Sequence, residues 1–208
     1  MKKLFVFTLS VLLATSAFAV ITGSAHDFQL LGWSGGEICV PCHTPHNALV
    51  PQIVPLWNHT TAAGPWSQYV DVGTGTFDAG PIGAPAGVSL ACLSCHDGTV
   101  AVDAFGGAVG AVMVGAINPN ADFTADLTND HPISFPYTAA LAAADGELYD
   151  PTVALSGLGG TIDADMLFGT NLECGSCHDV HNTTAVAGTP LLRITNAGSA
   201  ICLTCHNK

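Results

Sequence analysis

Apolar residues form one long stretch near the start of this chain, and elsewhere they are divided into short segments. The stretch is LFVFTLSVLL, whereas 23 Gly and 12 Pro residues interrupt nearly every later segment. The pattern favours one helix in YTAALAAADGELY, Tyr137 to Tyr149, ending at Gly146 or soon after. It also favours a short helix followed by a short strand in GVSLACLSCHDGTVAVDAF. The predicted fold class is therefore mostly irregular coil with a few short helices and minimal strand.

The first 19 residues have the pattern of an export signal. Lys2 and Lys3 precede the apolar stretch, and Ala17-Phe18-Ala19 forms a small-x-small cleavage site. The alternative is a retained anchor, but the stretch is shorter than the roughly 20 residues needed to cross a bilayer. No later segment resembles a membrane span. We therefore expect residues 1–19 to be a signal peptide and 20–208 to be a single exported domain without a membrane anchor.

The charge of the chain restricts its partners. The formal net charge is −12 at pH 7 and becomes −14 once Lys2 and Lys3 are removed, leaving Arg193 and Lys208 as the only Lys or Arg residues. Nucleic acids and anionic membranes are excluded as partners, because phosphate binding needs Lys and Arg. The chain is nevertheless 49% hydrophobic and only 10% charged. Such an apolar surface is expected to be covered by a bulky cofactor or by another subunit.

The eight cysteines fall into four copies of one pattern: CVPCH, CLSCH, CGSCH and CLTCH. Four disulfides or thiol–disulfide exchange would not need the histidine, and a zinc Cys₄ site would leave four regularly placed histidines unused. By chance, a histidine would follow all four pairs with a probability on the order of 10⁻⁶, and Cys-x-x-Cys-His is the attachment signal of c-type haem. We therefore expect four covalent haems, held by Cys39 and Cys42, Cys92 and Cys95, Cys174 and Cys177, and Cys202 and Cys205. The proximal iron ligands are then His43, His96, His178 and His206.

The second axial ligands are expected to be histidines as well. Beyond the signal only Met113 and Met166 remain, too few for four irons. The histidines outside the motifs are five: His26, His46, His59, His131 and His181. Four irons can therefore all have two histidine ligands, with one histidine to spare. His46 and His181 lie three residues beyond a proximal histidine, so each is expected to bind a neighbouring haem and not the haem of its own motif.

The chain has the pattern of a loose duplication. Residues 24–105 and 131–208 each carry two motifs, one of which is followed by a histidine at the same offset (CHTPH and CHDVH). The connecting region, about 106–130, is rich in Gly, Ala and Asn. We expect a core made largely of porphyrin, because four flat apolar rings would replace side-chain packing. Without haem the chain is predicted not to fold.

Several segments together resemble a known family, the exported multihaem c-type cytochromes with paired Cys-x-x-Cys-His units. Within that family, the chain is similar to the tetrahaem OmcE-like extracellular cytochrome filaments of metal-reducing bacteria. The segments are HDF, CVPCHTPHN, PLWNH, CLSCHDGTVAVDAFGG, NDHPISF, CGSCHDVHN and LLRITNAGSAICLTCHNK. The resemblance implies a multihaem cytochrome fold and polymerisation into filaments with a continuous chain of haems. It also implies that a histidine at the position of His46 binds an iron of the next protomer.

These observations predict electron transfer through four low-potential bis-histidine haems, in an extracellular or cell-surface filament, without catalytic residues. The expected partners are further copies of the chain, other redox proteins and extracellular metal acceptors. A periplasmic monomeric shuttle with the same haems is the alternative. A reductase acting at an open haem is a third possibility, which the number of histidines disfavours.

Overall fold

The computed structural model describes residues 21–50, 53–69, 77–183 and 185–208. The predicted signal peptide lies outside the described residues. Most of the described chain is coil and turn, which confirms the predicted fold class. No helix in these ranges is long and apolar enough to cross a membrane. The described ranges contain six short α-helices: α1 (Gly87–His96), α2 (Val114–Ile117), α3 (Ala139–Asp145), α4 (Ile162–Met166), α5 (Cys174–Cys177) and α6 (Ala200–Cys205). They also contain three 3₁₀ turns: Gln29–Leu31, Pro119–Ala121 and Ala197–Ser199.

The strands are two residues long and form two separate pairs. β1 (Ser67–Gln68) runs parallel to β2 (Asp126–Leu127), with Ser67 opposite Asp126. β3 (Phe135–Pro136) is antiparallel to β4 (Asn171–Leu172), with Phe135 opposite Leu172. Both pairs join distant parts of the chain, so they fix the positions of loops without making a sheet that could support a core.

Helix α3 lies within the segment that the sequence predicts. The Thr138 hydroxyl accepts a hydrogen bond from the Leu141 N–H at 3.2 Å, which satisfies a donor at the helix start. Gly146 ends the helix with φ of 74°, and its N–H donates to the carbonyl of Ala142. The predicted end at Gly146 is therefore confirmed.

The strand predicted after the second motif is wrong. Helix α1 forms as expected, but residues 97–105 are turns with a single isolated bridge from Phe105 to His59. Asp97 Oδ1 accepts hydrogen bonds from both the N–H and the hydroxyl of Thr99, and Gly98 has φ of 69°. This side-chain turn competes with extended pairing, so the apolar residues of the segment are buried from a turn and not from a strand.

One cluster of buried apolar side chains lies in the C-terminal part of the chain. Its members are Phe135, Tyr137, Ala142, Ile162, Met166 and Leu172. The cysteine Cys205 of the last motif packs against it. The Tyr137 hydroxyl donates to the carbonyl of Tyr149 at 2.6 Å, and burial raises the pKa of this phenol. The cluster therefore holds β3, β4, α3 and α4 beside the fourth motif.

Candidate haem-binding site

The four Cys-x-x-Cys-His segments adopt the same turn. In three of them the histidine N–H donates to the carbonyl of the first cysteine: His43 to Cys39 at 2.8 Å, His178 to Cys174 at 3.1 Å, and His206 to Cys202 at 2.9 Å. The remaining segment, Cys92 to His96, is the last part of α1. Residues i, i+3 and i+4 of a helical turn lie on one face. Each turn therefore presents two thiols and an imidazole together, as attachment to one haem requires.

Three motif histidines are held by the same kind of hydrogen bond, from Nδ1 to a backbone carbonyl. Nδ1 of His43 donates to the carbonyl of Pro55 at 2.8 Å, and Nδ1 of His178 donates to that of Pro190 at 2.8 Å. Nδ1 of His96 donates to the carbonyl of Ala121 at 2.7 Å. Because a carbonyl only accepts, Nδ1 carries the proton and Nε2 keeps a free lone pair. This is the tautomer and orientation of a metal-binding histidine.

Three pairs of histidine rings have the separation expected of two ligands on one iron. An imidazole nitrogen lies about 2 Å from a metal ion that it binds, so two rings on opposite sides of one ion have centres about 6 Å apart. In each pair one ring comes from a motif and the other from outside the motifs. The ring centres are 6.2 Å apart for His43 and His181, 6.0 Å for His96 and His26, and 6.4 Å for His206 and His131.

His26 provides a further sign that a group is bound between the rings. Its Nδ1 is buried and has no hydrogen-bond partner among the described residues. Burial, with the neighbouring His96, lowers the pKa of His26 to about 4. The ring is therefore neutral at physiological pH, which is the form that binds a metal. The residues present fit c-type haem iron at this position.

His59 differs from the other histidines outside the motifs. It is 1% exposed, and both ring nitrogens face carbonyls: Nδ1 lies 2.8 Å from Thr60 O and Nε2 lies 3.0 Å from Ala101 O. Its ring also packs against Trp57. Burial lowers the pKa of His59, and a neutral imidazole has one N–H, so the ring donates to one of these two carbonyls. Its Nε2 also lies 3.5 Å from the Sγ of Cys95, and no other histidine ring of the described residues is stacked beside it. His59 is therefore the candidate for the one histidine that binds no iron.

His46 and His178 remain without a histidine partner among the described residues. Both side chains are exposed. The Nδ1 of His178 is fixed by Pro190 as in the paired motif histidines. His46 follows the first motif as His181 follows the third, yet only His181 stacks on another histidine. The described residues thus bring together three pairs of histidines. They leave one motif histidine, His178, and two others, His46 and His59, outside these pairs.

The cysteines bring successive motifs together. Burial raises the pKa of the Cys42 thiol to about 11 and that of Cys95 to about 12, and Cys42 adds to the rise at Cys95. The Cys92 and Cys174 thiols influence each other: Cys174 raises the pKa of Cys92, and Cys92 lowers the pKa of Cys174. The helices that carry them, α1 and α5, are in contact. The third and fourth motifs interact through Cys177 with Cys202 and Cys205. Cysteines of successive motifs therefore lie near one another, which the sequence spacing alone does not reveal.

The surroundings of the first and third motifs repeat with an offset of 135 residues (43 to 178). Pro55 and Pro190 accept equivalent bonds, and His43 bridges Trp57 as His178 bridges Leu192. Leu56 and Leu191 both have positive φ, of 56° and 58°. Sequence reasoning missed these carbonyl acceptors, although a proline 12 residues after each of the two histidines was a visible signal.

Comparison with known families agrees with this geometry. The model of the doubled CXXCH motif family matches residues 168–208, which contain the third and fourth motifs. The match supports a multihaem c-type cytochrome. The motifs indicate covalently bound c-type haem, and with it haem-dependent electron transfer. No curated protein matches the chain.

Two histidine substitutions should have opposite effects on haem coordination. His131→Ala is expected to leave one iron without a sixth ligand, because the His131 ring faces His206. The reduced variant should then bind carbon monoxide, seen as a difference spectrum. His59→Gln should bind none and should instead lower stability by about 1–3 kcal/mol, because the flexible amide does not reproduce the position of the imidazole N–H beside a buried carbonyl. Carbon monoxide binding by His59→Gln, with none by His131→Ala, would reverse these assignments.

Proposed function

We propose that this protein transfers electrons through four covalently bound c-type haems, each with two histidine ligands. The observation that carries the proposal is the set of three histidine pairs with centres 6.0 to 6.4 Å apart, each containing one motif histidine. The eight motif cysteines would attach the haems, and eight of the nine histidines would supply the axial ligands. When bound, haem supplies one-electron oxidation and reduction of its iron.

The chain's own residues set ligand type, orientation and spacing, and no catalytic residue is assigned. The carbonyls of Pro55, Ala121 and Pro190 hold the motif imidazoles in one tautomer and increase their basicity. Histidine on both faces of the iron gives a lower potential than a methionine ligand would. The contacts between cysteines of successive motifs support closely spaced haems. Such spacing suits electron transfer along a chain of haems.

We further propose that the protomer polymerises, with His46 binding the iron held by His178 of another copy. Under the 135-residue offset, His43 corresponds to His178 and His46 corresponds to His181. The rings of His43 and His181 are stacked within one chain. Replacing each of these two residues by its counterpart gives the pair His178 and His46. A contact that joins different surfaces of two copies forms a ring if the rotation between copies closes, and an open filament if it does not. Apolar side chains beside His46 support such an interface: Val50 is 89% exposed, and Leu49 and Leu56 are also exposed.

The proposed location is extracellular or at the cell surface. The export pattern of residues 1–19 supports secretion. The strongly acidic chain would repel other acidic surfaces, so its redox partners should be cationic proteins or metal acceptors.

The experiment that tests the function is mass spectrometry and electron microscopy of the protein secreted from a host with haem-attachment machinery. The mass should exceed that of the mature chain by four haem groups, and filaments should be visible. A haem-loaded protein that is monomeric at all concentrations would favour the periplasmic shuttle. A mature chain without haem would overturn the function altogether.

A further inference from the structure

A buried carboxylate lies at the junction of the second and third motifs. Glu173 directly precedes Cys174 and is 3% exposed. Its Oε2 accepts hydrogen bonds from the Ser134 hydroxyl at 2.9 Å and the Ser89 N–H at 3.3 Å. Both donors are neutral, and the one ion pair among the described residues joins Lys208 to Glu147. The negative charge of Glu173 is therefore held by dipoles and not cancelled by a cation.

The surroundings of Glu173 connect it to both attachment sites. Ser89 belongs to α1, and its hydroxyl accepts a hydrogen bond from the Cys174 N–H at 2.9 Å. Helix α1, which contains Cys92, is in contact with α5, which begins at Cys174. A charge beside Cys174 is thus also close to the haem edge that Cys92 would hold.

The Cys-x-x-Cys-His turn does not itself require this carboxylate. The residues that precede the first cysteine in the other motifs are apolar: Ile38, Ala91 and Ile201. The first motif nevertheless makes the same turn, with the His43 N–H bonded to Cys39 O. Ile38 occupies the position equivalent to Glu173 under the 135-residue offset. The charge is therefore a feature of the third motif alone.

We propose that Glu173 sets the reduction potential of the haem held by Cys174 and Cys177, and to a smaller extent that of the haem held by Cys92 and Cys95. This inference rests on the proposed haem attachment. When bound, each haem would supply a one-electron couple between ferric and ferrous iron, with the electron exchanged with a redox partner or an electrode. A fixed negative charge nearby opposes the added electron and lowers the potential. In a water-poor interior this effect is much larger than at the surface.

The test is a spectroelectrochemical titration of the haem-loaded protein carrying Glu173→Gln. The variant removes the charge and keeps nearly the same shape. At a fixed electrode potential, the ferrous-to-ferric ratio of one or two haems should rise about tenfold, which is about 59 mV for a one-electron couple. The remaining haems should titrate as in the wild type.

Two controls separate charge from structure. Glu37→Gln removes an exposed carboxylate two residues before Cys39, and water should screen it, so the potentials should not move. Ser134→Ala removes a hydrogen bond to Glu173 and leaves the charge, so it should not raise any potential. Unchanged potentials in Glu173→Gln, or an equal rise in Ser134→Ala, would overturn the inference. Haem content measured on the same samples tests the proposed function separately.

Discussion

Replacing His46 by alanine is expected to leave a folded protomer with four haems and to abolish filaments. The His46 side chain is exposed, so its removal should cost the protomer little stability. If its ring binds the iron of a neighbouring copy, every junction of the filament loses a metal–ligand bond. Negative-stain electron microscopy and size-exclusion chromatography of the secreted variant would measure the effect.

The matched control is His181→Ala, which removes the histidine at the equivalent offset after the third motif. Because the His181 ring stacks on His43 within one chain, this variant should open an iron inside each protomer and keep the His46 junction. Free imidazole added to His46→Ala should restore six-coordinate spectra without restoring filaments. Wild-type filaments from His46→Ala would show that His46 does not join the protomers.

The attachment motifs could be identified from sequence because their chemistry is local. Two thiols and an imidazole at fixed spacing form one turn whatever the rest of the chain does, and the hydrogen bond from His206 to Cys202 shows this turn near the C-terminus. Helix α3 was equally predictable, because Thr138 and Gly146 mark its two ends. Local signals of this kind do not depend on tertiary contacts.

The pairing of the histidines could not be predicted, because it depends on contacts between distant segments. Nothing local to His26 indicates that its ring lies beside His96, and nothing local to His131 indicates His206. The sequence predicted one histidine to spare but could not distinguish His59 from the others. What distinguishes it is the carbonyl of Ala101, 42 residues away. The incorrect strand at 97–105 has a similar origin, because the Asp97 side chain completes a turn where the apolar pattern suggested extension.

The helices, the strands and the buried cluster of this chain are all small. Helices of four to ten residues are too short to be stable alone, since isolated helices below about 12–15 residues are marginal in water. The strands have two residues each, and an isolated pair is not stable either. The buried cluster around Ile162 and Met166 has six members. Several large apolar side chains are meanwhile exposed, including Leu30 at 94% and Leu155 at 76%.

A chain in which all eight motif cysteines are replaced by alanine is therefore expected not to fold cooperatively. Ordering a residue costs about 1–2 kcal/mol of backbone entropy. The fifteen buried apolar side chains of the described residues, five of which are alanines, bury too little apolar surface to offset this cost. Four covalent haems would supply the missing apolar contacts and cross-link distant segments. Circular dichroism during heating should show no sigmoidal transition in the variant, whereas the haem-loaded protein should show one.

A matched variant that keeps the first three motifs, Cys202→Ala with Cys205→Ala, should retain a transition at lower temperature, because Cys205 packs against the cluster. A cooperative transition in the haem-free chain would mean that side-chain packing alone is sufficient, and that the haems are added to a fold that already exists.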